Sequence, residues 1–290
     1  MKWISSRPKI FFMLLPALII FTMFVAYPVV YSLAFSFTKF QGFSAPKWIG
    51  AQNYSHVLQD GFFWQSLGNT LIILVVSVAV LVPAAFALAL LLRVQIRGNG
   101  VLRALVFGPA IIAPILVGLI WVFILDPKVG LLNRLLALVH LPGVQWIGGD
   151  VLTPYAVAAV FIWSSVGFAM TIFYAGLQSL PTDVLEASAL DGATGWQQVR
   201  HITIPMLKST FAIVTILLIT NVFKVFELVY VLTGGGPVHR SETLVSYMYF
   251  VTFTDQQYGY GMALAVIITV LGAAISASYL VLANRKGSAL

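Results

Sequence analysis

Few side chains of this sequence are suited to catalysis or metal binding. Only nine of the 290 residues are acidic and none is cysteine, which excludes disulfides and thiolate metal sites. The four histidines, His56, His140, His201 and His239, are scattered along the chain, and we expect no metal site. The chain also contains no G-x-x-x-x-G-K-[ST] phosphate loop and no G-x-S-x-G element. We therefore expect a protein that is not an enzyme and binds neither a metal nor a nucleotide itself.

Two ionisable residues, Lys224 and Glu227, lie within a long apolar stretch. Charged groups there are costly and usually face the interior of a helix bundle. Asn221, Lys224 and Glu227 recur every third residue, so on one continuous helix they share a sector of about 120°, and Tyr230 adds an aromatic ring one turn on. The pattern leaves two interpretations open: a polar pathway along the helix, or a Lys224–Glu227 pair that neutralises itself.

A third of all acidic residues, namely Asp183, Glu186 and Asp191, lie within nine positions between two long apolar stretches. Thr182 next to Asp183 is typical of a helix start, because threonine can cap free amides and an early carboxylate favours the positive end of the helix dipole. We predict a short helix from Thr182 to about Leu190.

A second short helix should follow. Asp191-Gly192 indicates a break, and Thr194 with Gln197 has the spacing of a capping box. Pro205 should end this helix, because proline disfavours helix at the residue before it. The residues from 179 to 209, hereafter the 179–209 segment, are thus predicted to form a helix–turn–helix too short and polar to cross a membrane. Such a protrusion suits a socket on another protein.

The composition places these elements in a membrane protein. Hydrophobic residues make up 60% of the chain and charged residues 9%, whereas charged residues are about a quarter of a soluble protein. A bilayer-crossing helix needs about 20 apolar residues, and the basic N-terminus leads into a first span without a cleavage site. We predict an all-α polytopic protein with one transmembrane domain, residues 1–290. Its six spans are roughly 10–37, 67–92, 101–125, 152–177, 210–232 and 260–282.

The basic residues predict the orientation, since Lys and Arg collect in cytoplasmic loops. With the N-terminus inside, ten lie on the cytoplasmic side: Lys2, Arg7, Lys9, Arg93, Arg97, Arg103, Arg200, Lys208, Arg285 and Lys286. Five lie outside: Lys39, Lys47, Lys128, Arg134 and Arg240. Both termini and the 179–209 segment are therefore predicted to be cytoplasmic.

The order of residues in the 179–209 segment resembles a known signature. Permease subunits of binding-protein-dependent ABC importers carry an E-A-A, G and I-x-L-P pattern there, and in this chain Ser188 replaces the second alanine. The matching and adjoining residues are Glu186, Ala187, Ser188, Asp191, Gly192, Ala193, Ile202 and Pro205.

Longer stretches are similar to the sugar-importer branch of that family, the maltose- and glycerol-phosphate-type subunits. They are "LLPALIIFTMFVAYPVVYSLAFSFTKF" with "WIGAQNY", and "FELVYVLTGGGPVHRSETLVSYMYFVTF" with "YGYGMALAV". The resemblance implies the type I ABC importer permease fold in a bacterial or archaeal cell membrane. On the predicted orientation, an external loop holds Thr233, Gly234, Gly235, Gly236 and Pro237. This block either only ends a helix or also contacts the binding protein.

The same resemblance implies a working complex. A second permease subunit, two cytoplasmic ATPase subunits and an external solute-binding protein are expected, with ATP and Mg held by the ATPase. The 179–209 segment would couple the ATPase to the pore. The implied substrate is a sugar or related polyol; the alternatives are glycerol 3-phosphate or another non-sugar solute, and an ion-coupled secondary transporter in which Lys224 and Glu227 handle the ion.

Overall fold

The computed structural model describes residues 7–43, 45–93, 98–149 and 151–285. Three of the basic residues used above for orientation, Lys2, Arg97 and Lys286, lie outside these ranges. The regular elements are α1 Arg7–Phe21, α2 Tyr27–Phe35, β1 Thr38–Lys39, β2 Lys47–Trp48, α3 Gln52–Gln59, α4 Gly61–Arg93, α5 Asn99–Phe107, α6 Pro114–Leu125, α7 Leu131–Leu138, α8 Thr153–Gln178, α9 Thr182–Leu190, α10 Gly195–Gln198, α11 Ile204–Met206, α12 Lys208–Val222, α13 Glu227–Thr233, α14 Leu244–Tyr249 and α15 Tyr258–Arg285. The predicted all-α class is confirmed.

The chain divides into two compact units. Unit one comprises Met1–Asp60 and Met248–Thr269. In it, the two-residue strands β1 and β2 pair antiparallel, with Thr38 opposite Trp48. The buried Asn53 side chain donates hydrogen bonds to the carbonyls of Ser36 (2.8 Å) and Thr38 (3.0 Å). These bonds fix the end of the first span against α3.

Unit two comprises Gly61–Tyr247 and Val270–Leu290 and contains most of the buried core. The long helices α4 and α8 pack along each other, and α12 packs on both. Phe86, Phe173 and Phe211, one from each helix, meet with ring centroids 4.6–5.6 Å apart. Aromatic pairs at such distances stabilise a core beyond their buried area.

Within the described ranges, four helices are long and apolar enough to cross a membrane by themselves: Phe11–Phe35, Gly61–Arg93, Thr153–Gln178 and Tyr258–Leu282. Two bent pairs raise the number to six if each counts as one span. Asn99–Ile111 and Pro114–Leu125 meet at 98°, and Gly195–Met206 meets Lys208–Val222 at 69°. The continuous third span expected over 101–125 is therefore a bent pair, because Pro109 and Pro114 each remove a helical amide donor.

Prolines also explain two local changes of helix type. Thr22–Ala26 and Val199–Thr203 are π-helical, and they precede Pro28 and Pro205 respectively. A wider turn of this kind accommodates a position where the normal helical hydrogen bond is missing. The prediction that Pro205 ends the second short helix was wrong: Pro205 lies near the start of α11, and the helical path continues to Met206.

Candidate functional site

The first helix of the 179–209 segment, α9, begins at Thr182 and ends at Leu190. Both bounds confirm the prediction. The capping role given to Thr182 was wrong, because Pro181 occupies the N-cap position and no side chain caps the helix. Proline already lacks the amide hydrogen, and its fixed φ suits the entry to a helix.

The turn after α9 depends on Gly192, which has a φ of +83°. Its amide donates to the carbonyl of Ala189 (3.1 Å), and the amide of Ala193 donates to the carbonyl of Ser188 (3.0 Å). This pair of bonds is a Schellman motif, which ends a helix at a left-handed residue. Gly192 thus sets the direction in which the chain leaves α9.

The capping box predicted for the second helix is confirmed. The amide of Thr194 donates to Gln197 Oε1 (2.7 Å), and the amide of Gln197 donates to Thr194 Oγ1 (3.4 Å). Each side chain satisfies an amide that the first helical turn leaves without a partner. The start of α10 is therefore fixed from both sides.

A side-chain link between the two helices was not predicted. Gln198 Nε2 donates to both Ser188 Oγ and the carbonyl of Leu185, each at 2.8 Å. Ser188 is 8% exposed, and its hydroxyl donates to the same Leu185 carbonyl (2.7 Å). The residue that departs from the E-A-A signature thus joins α9 to α10. Ser188 itself was the available signal, since a hydroxyl at a small apolar position needs a partner when buried.

The outer face of the segment combines acidic and large apolar side chains. Leu190 is 90% exposed and Trp196 70% exposed. Exposed large apolar and aromatic side chains of this kind are enriched at surfaces that meet a protein partner. The predicted coupling residues divide by burial: Glu186, Ala187, Asp191 and Gly192 are exposed, Ala193, Ile202 and Pro205 are half-buried, and Ser188 is buried.

A cavity of about 280 Å³ lies in unit two where two broken helices come together. One wall is the bend before α6, including Pro109 and Pro114; the other is the connection between α12 and α13. Asn221, Lys224 and Glu227 all line the cavity. Broken helices in membrane transporters commonly border substrate sites in this way.

The reason that these three residues meet differs from the one predicted. Helix α12 ends at Val222 and α13 begins at Glu227, so the three do not share a sector of one continuous helix. Within the described residues, Lys224 and Glu227 do not approach each other within 4.0 Å as an ion pair. The described structure therefore shows no direct ion pair between them, and the pathway along these residues stays a prediction. Tyr230 is 55% exposed and is not among the residues lining the cavity.

Side chains from outside the 233–237 loop (Thr233 to Pro237) hold the loop and the residues after it in place. Ser241 Oγ contacts Thr233 Oγ1 (2.8 Å) and the Gly236 carbonyl (2.7 Å). Asn69 of α4 donates to the carbonyls of Arg240 (2.8 Å) and Glu242 (2.9 Å). These hydrogen bonds hold the loop and the residues that follow it in place, while contact with a binding protein stays a prediction.

Comparison with known proteins agrees with this geometry. Residues 82–287 match the family described as the binding-protein-dependent transport system inner membrane component. A probable ABC transporter permease, YurN of Bacillus subtilis, is 33% identical over 268 residues, which cover 91% of each chain. The trehalose/maltose transport system permease protein MalF of Thermococcus litoralis is 31% identical, covering 93% of this chain and 92% of that one.

Solved structures share the fold. The crystal structure of a bacterial ABC transporter that imports the acidic polysaccharide alginate contains a chain with a TM-score of 0.84 to this one. The two are 24% identical, and the match covers 98% of each. The helical framework, the family match and the relatives lead to one conclusion. This chain is a membrane protein that belongs to the family described as the binding-protein-dependent transport system inner membrane component.

Proposed function

We propose that this chain is the transmembrane permease subunit of an ATP-driven importer that carries a sugar or related polyol into the cell. Curated relatives that match most of its length include permeases named for trehalose/maltose and for α-glucoside transport. Another is named for sulfoquinovosyl glycerol. Their common chemistry is a polyhydroxylated solute, and this is the class we assign here.

The observation that carries the proposal is the build of the 179–209 segment. Its two helices are held by a Schellman turn at Gly192, a capping box and the Gln198 link, while Leu190 and Trp196 remain exposed. A rigid body with an exposed apolar rim can transmit motion from a partner. That partner would be an ATPase that binds ATP and Mg and grips this segment near Glu186.

The route through the protein would pass the cavity beside Lys224 and Glu227. Its polar groups also include Ser164 and Ser165 of α8, and hydroxyl, amide and charged groups together suit the hydrogen-bonding needs of a polyol. A second permease subunit would complete the passage. An external solute-binding protein would deliver the solute near the 233–237 loop.

The energy source tests this proposal against an ion-coupled secondary transporter. The complete complex, reconstituted in vesicles with ATP inside the compartment that faces the ATPase, should take up a labelled oligosaccharide together with its binding protein. Uptake should persist when ionophores remove all ion gradients and should stop when ATP is omitted. Uptake that follows the ion gradient and ignores ATP would contradict the proposal, and uptake of glycerol 3-phosphate alone would contradict the sugar assignment.

The place of ATPase contact is tested by reversing one charge. Glu186→Lys should reduce both uptake and substrate-stimulated ATP hydrolysis to background, because it puts a cation where a basic partner group is expected. Asp183→Lys is the matched control: it makes the same exchange at an exposed acid on the same helix and should cost only the helix-dipole term, about 0.3–1 kcal/mol. Equal losses in the two variants would contradict a specific role for Glu186.

A further inference from the structure

Helix α7, Leu131–Leu138, presents leucines on its exposed face and a buried asparagine on the opposite face. Leu131, Leu135 and Leu138 share one helical face and are 54%, 50% and 75% exposed. Asn133, on the opposite face, is buried. A helix on the surface of a soluble domain normally shows the reverse arrangement. The outward leucine face therefore requires an explanation.

Four hydrogen bonds fix the orientation of the helix through Asn133. Its Nδ2 donates to the carbonyls of Pro127 and Val144, both at 2.9 Å. Its Oδ1 accepts from the amide of Val144 (3.1 Å) and from Trp146 Nε1 (2.9 Å). This uses the full capacity of a carboxamide. Turning the leucines inward would break all four bonds, so their exposure is built into the loop.

A short connection joins the start of α7 to the end of the apolar helix α6. The apolar helix α6 ends at Leu125, six residues before α7 begins. Six residues reach at most about 20 Å when fully extended, so α7 lies near the end of a membrane-embedded helix. Val129, Val139 and Leu141 are also more than half exposed and extend the apolar surface to both sides of α7.

The charges of this loop do not favour an electrostatic partner. Between residues 126 and 152, Lys128 and Arg134 are balanced by Asp126 and Asp150, so the formal charge is zero with His140 neutral. Backbone amides of Val129 and Lys128 donate to the Asp126 carboxylate and lower its pKa, so this group counts as a negative charge at neutral pH. Attraction of this loop to any surface must come mainly from the apolar face.

We propose that α7 lies in the bilayer interface, with Leu131, Leu135 and Leu138 inserted at the boundary between head groups and acyl chains. Interfacial helices of this type bury their apolar face about 5–10 Å deep. The membrane is preferred to a protein occupant because this surface continues directly from a membrane-embedded helix. With the N-terminus inside, α7 belongs to the outer leaflet, where it would hold the neighbouring loop at a fixed height.

Single cysteines test the insertion, because the native chain contains none. Leu138→Cys and, separately, Leu135→Cys would carry an environment-sensitive fluorophore in the complete complex, placed in phosphatidylcholine nanodiscs. Gln145→Cys, an exposed polar position of the same loop, is the matched control. Two quenchers are compared: aqueous iodide, and lipids with a nitroxide either near the head group or near the acyl-chain end.

Insertion predicts that both leucine sites lose fluorescence to the head-group-proximal nitroxide and resist iodide, whereas Gln145→Cys shows the opposite. The result should be the same without anionic lipid. Equal iodide quenching at all three sites would overturn the proposal. Protection that appears only when the solute-binding protein is added would also overturn it and would assign α7 to protein docking. Co-purification of the partner subunits checks that each variant has folded, and two leucine sites guard against failure of one.

Discussion

Gly192 illustrates how much of the proposed coupling depends on single backbone positions. A built Cβ at Gly192 meets no atom within 4 Å, so space does not explain the glycine. The φ of +83° does explain it, because L-residues pay roughly 1–2 kcal/mol to adopt left-handed backbone. The glycine allows the two helices of the segment to meet in a tight corner.

We predict that Gly192→Ala weakens this corner and lowers uptake roughly tenfold, the change in population that about 1–2 kcal/mol brings. Gly195→Ala is the matched control, since Gly195 also has open space around it but no left-handed φ. Gly192→Asn should retain more activity than Gly192→Ala, because asparagine tolerates this region. The measurement is ATP-dependent uptake in vesicles at equal amounts of inserted complex; similar losses at the two glycines would contradict the argument.

Local patterns made several residues of the segment predictable. The end of α9, the break at Gly192 and the Thr194–Gln197 box follow from short-range chemistry that the sequence displays directly, whereas the start of α9 was predicted with the wrong cap. Gln198 was not predictable in this way. Its partners lie ten and thirteen positions earlier, and only the fold of the corner brings them within reach.

At the scale of elements, the Gln198 link turns α9 and α10 into one body. Two hydrogen bonds from one amide, each contributing about 1 kcal/mol net, resist opening of the angle between the helices. A push on α9 would then reach α12 through α10 and α11 with little loss. Stiffness, and not chemical reactivity, is what this arrangement supplies.

Gln198→Met tests the stiffness, because it keeps the length of the side chain and removes both hydrogen bonds. We expect uptake to fall more than ATP hydrolysis, so that fewer solute molecules enter per ATP consumed. Ser188→Ala removes the contact between Gln198 and Ser188 Oγ but leaves the hydrogen bond from Gln198 to the Leu185 carbonyl. The ratio of uptake to ATP hydrolysis should therefore change less in this variant. A purely structural loss would lower the amount of complex and leave the ratio of uptake to hydrolysis unchanged, which would contradict the proposed role.

The break between α12 and α13 shows where prediction from sequence fails at this scale. Residues 223–226 contain neither glycine nor proline, and helical periodicity runs through them without interruption. The interruption is tertiary: Thr243 Oγ1, eighteen residues later, donates to the Val225 carbonyl (2.7 Å). The three-residue spacing therefore correctly predicted that Asn221, Lys224 and Glu227 lie together. The continuous helix on which that prediction rested is absent from the described residues.

At the scale of the whole molecule, hydropathy predicted the helical class, because lipid requires every backbone group to be satisfied within a helix. Within the described residues, the number of spans reaches the predicted six only if each bent pair counts as one. Hydropathy does not register bends: each of the pairs that meet at 98° and 69° is, taken together, long and apolar enough for a span. It also leaves the direction of insertion to the distribution of basic residues, ten on one side and five on the other.

That direction can be measured, since a chain without cysteine gives no background in thiol labelling. Ser55→Cys and Ser209→Cys place thiols at exposed positions in the first and fourth connections between the predicted spans. With both termini inside, an impermeant maleimide added to intact spheroplasts should label Ser55→Cys only. Ser209→Cys should react only after permeabilisation, because the Lys- and Arg-rich loops remain in the cytoplasm. The reverse labelling pattern would place the 179–209 segment outside, out of reach of any cytoplasmic ATPase, and would contradict the proposed coupling.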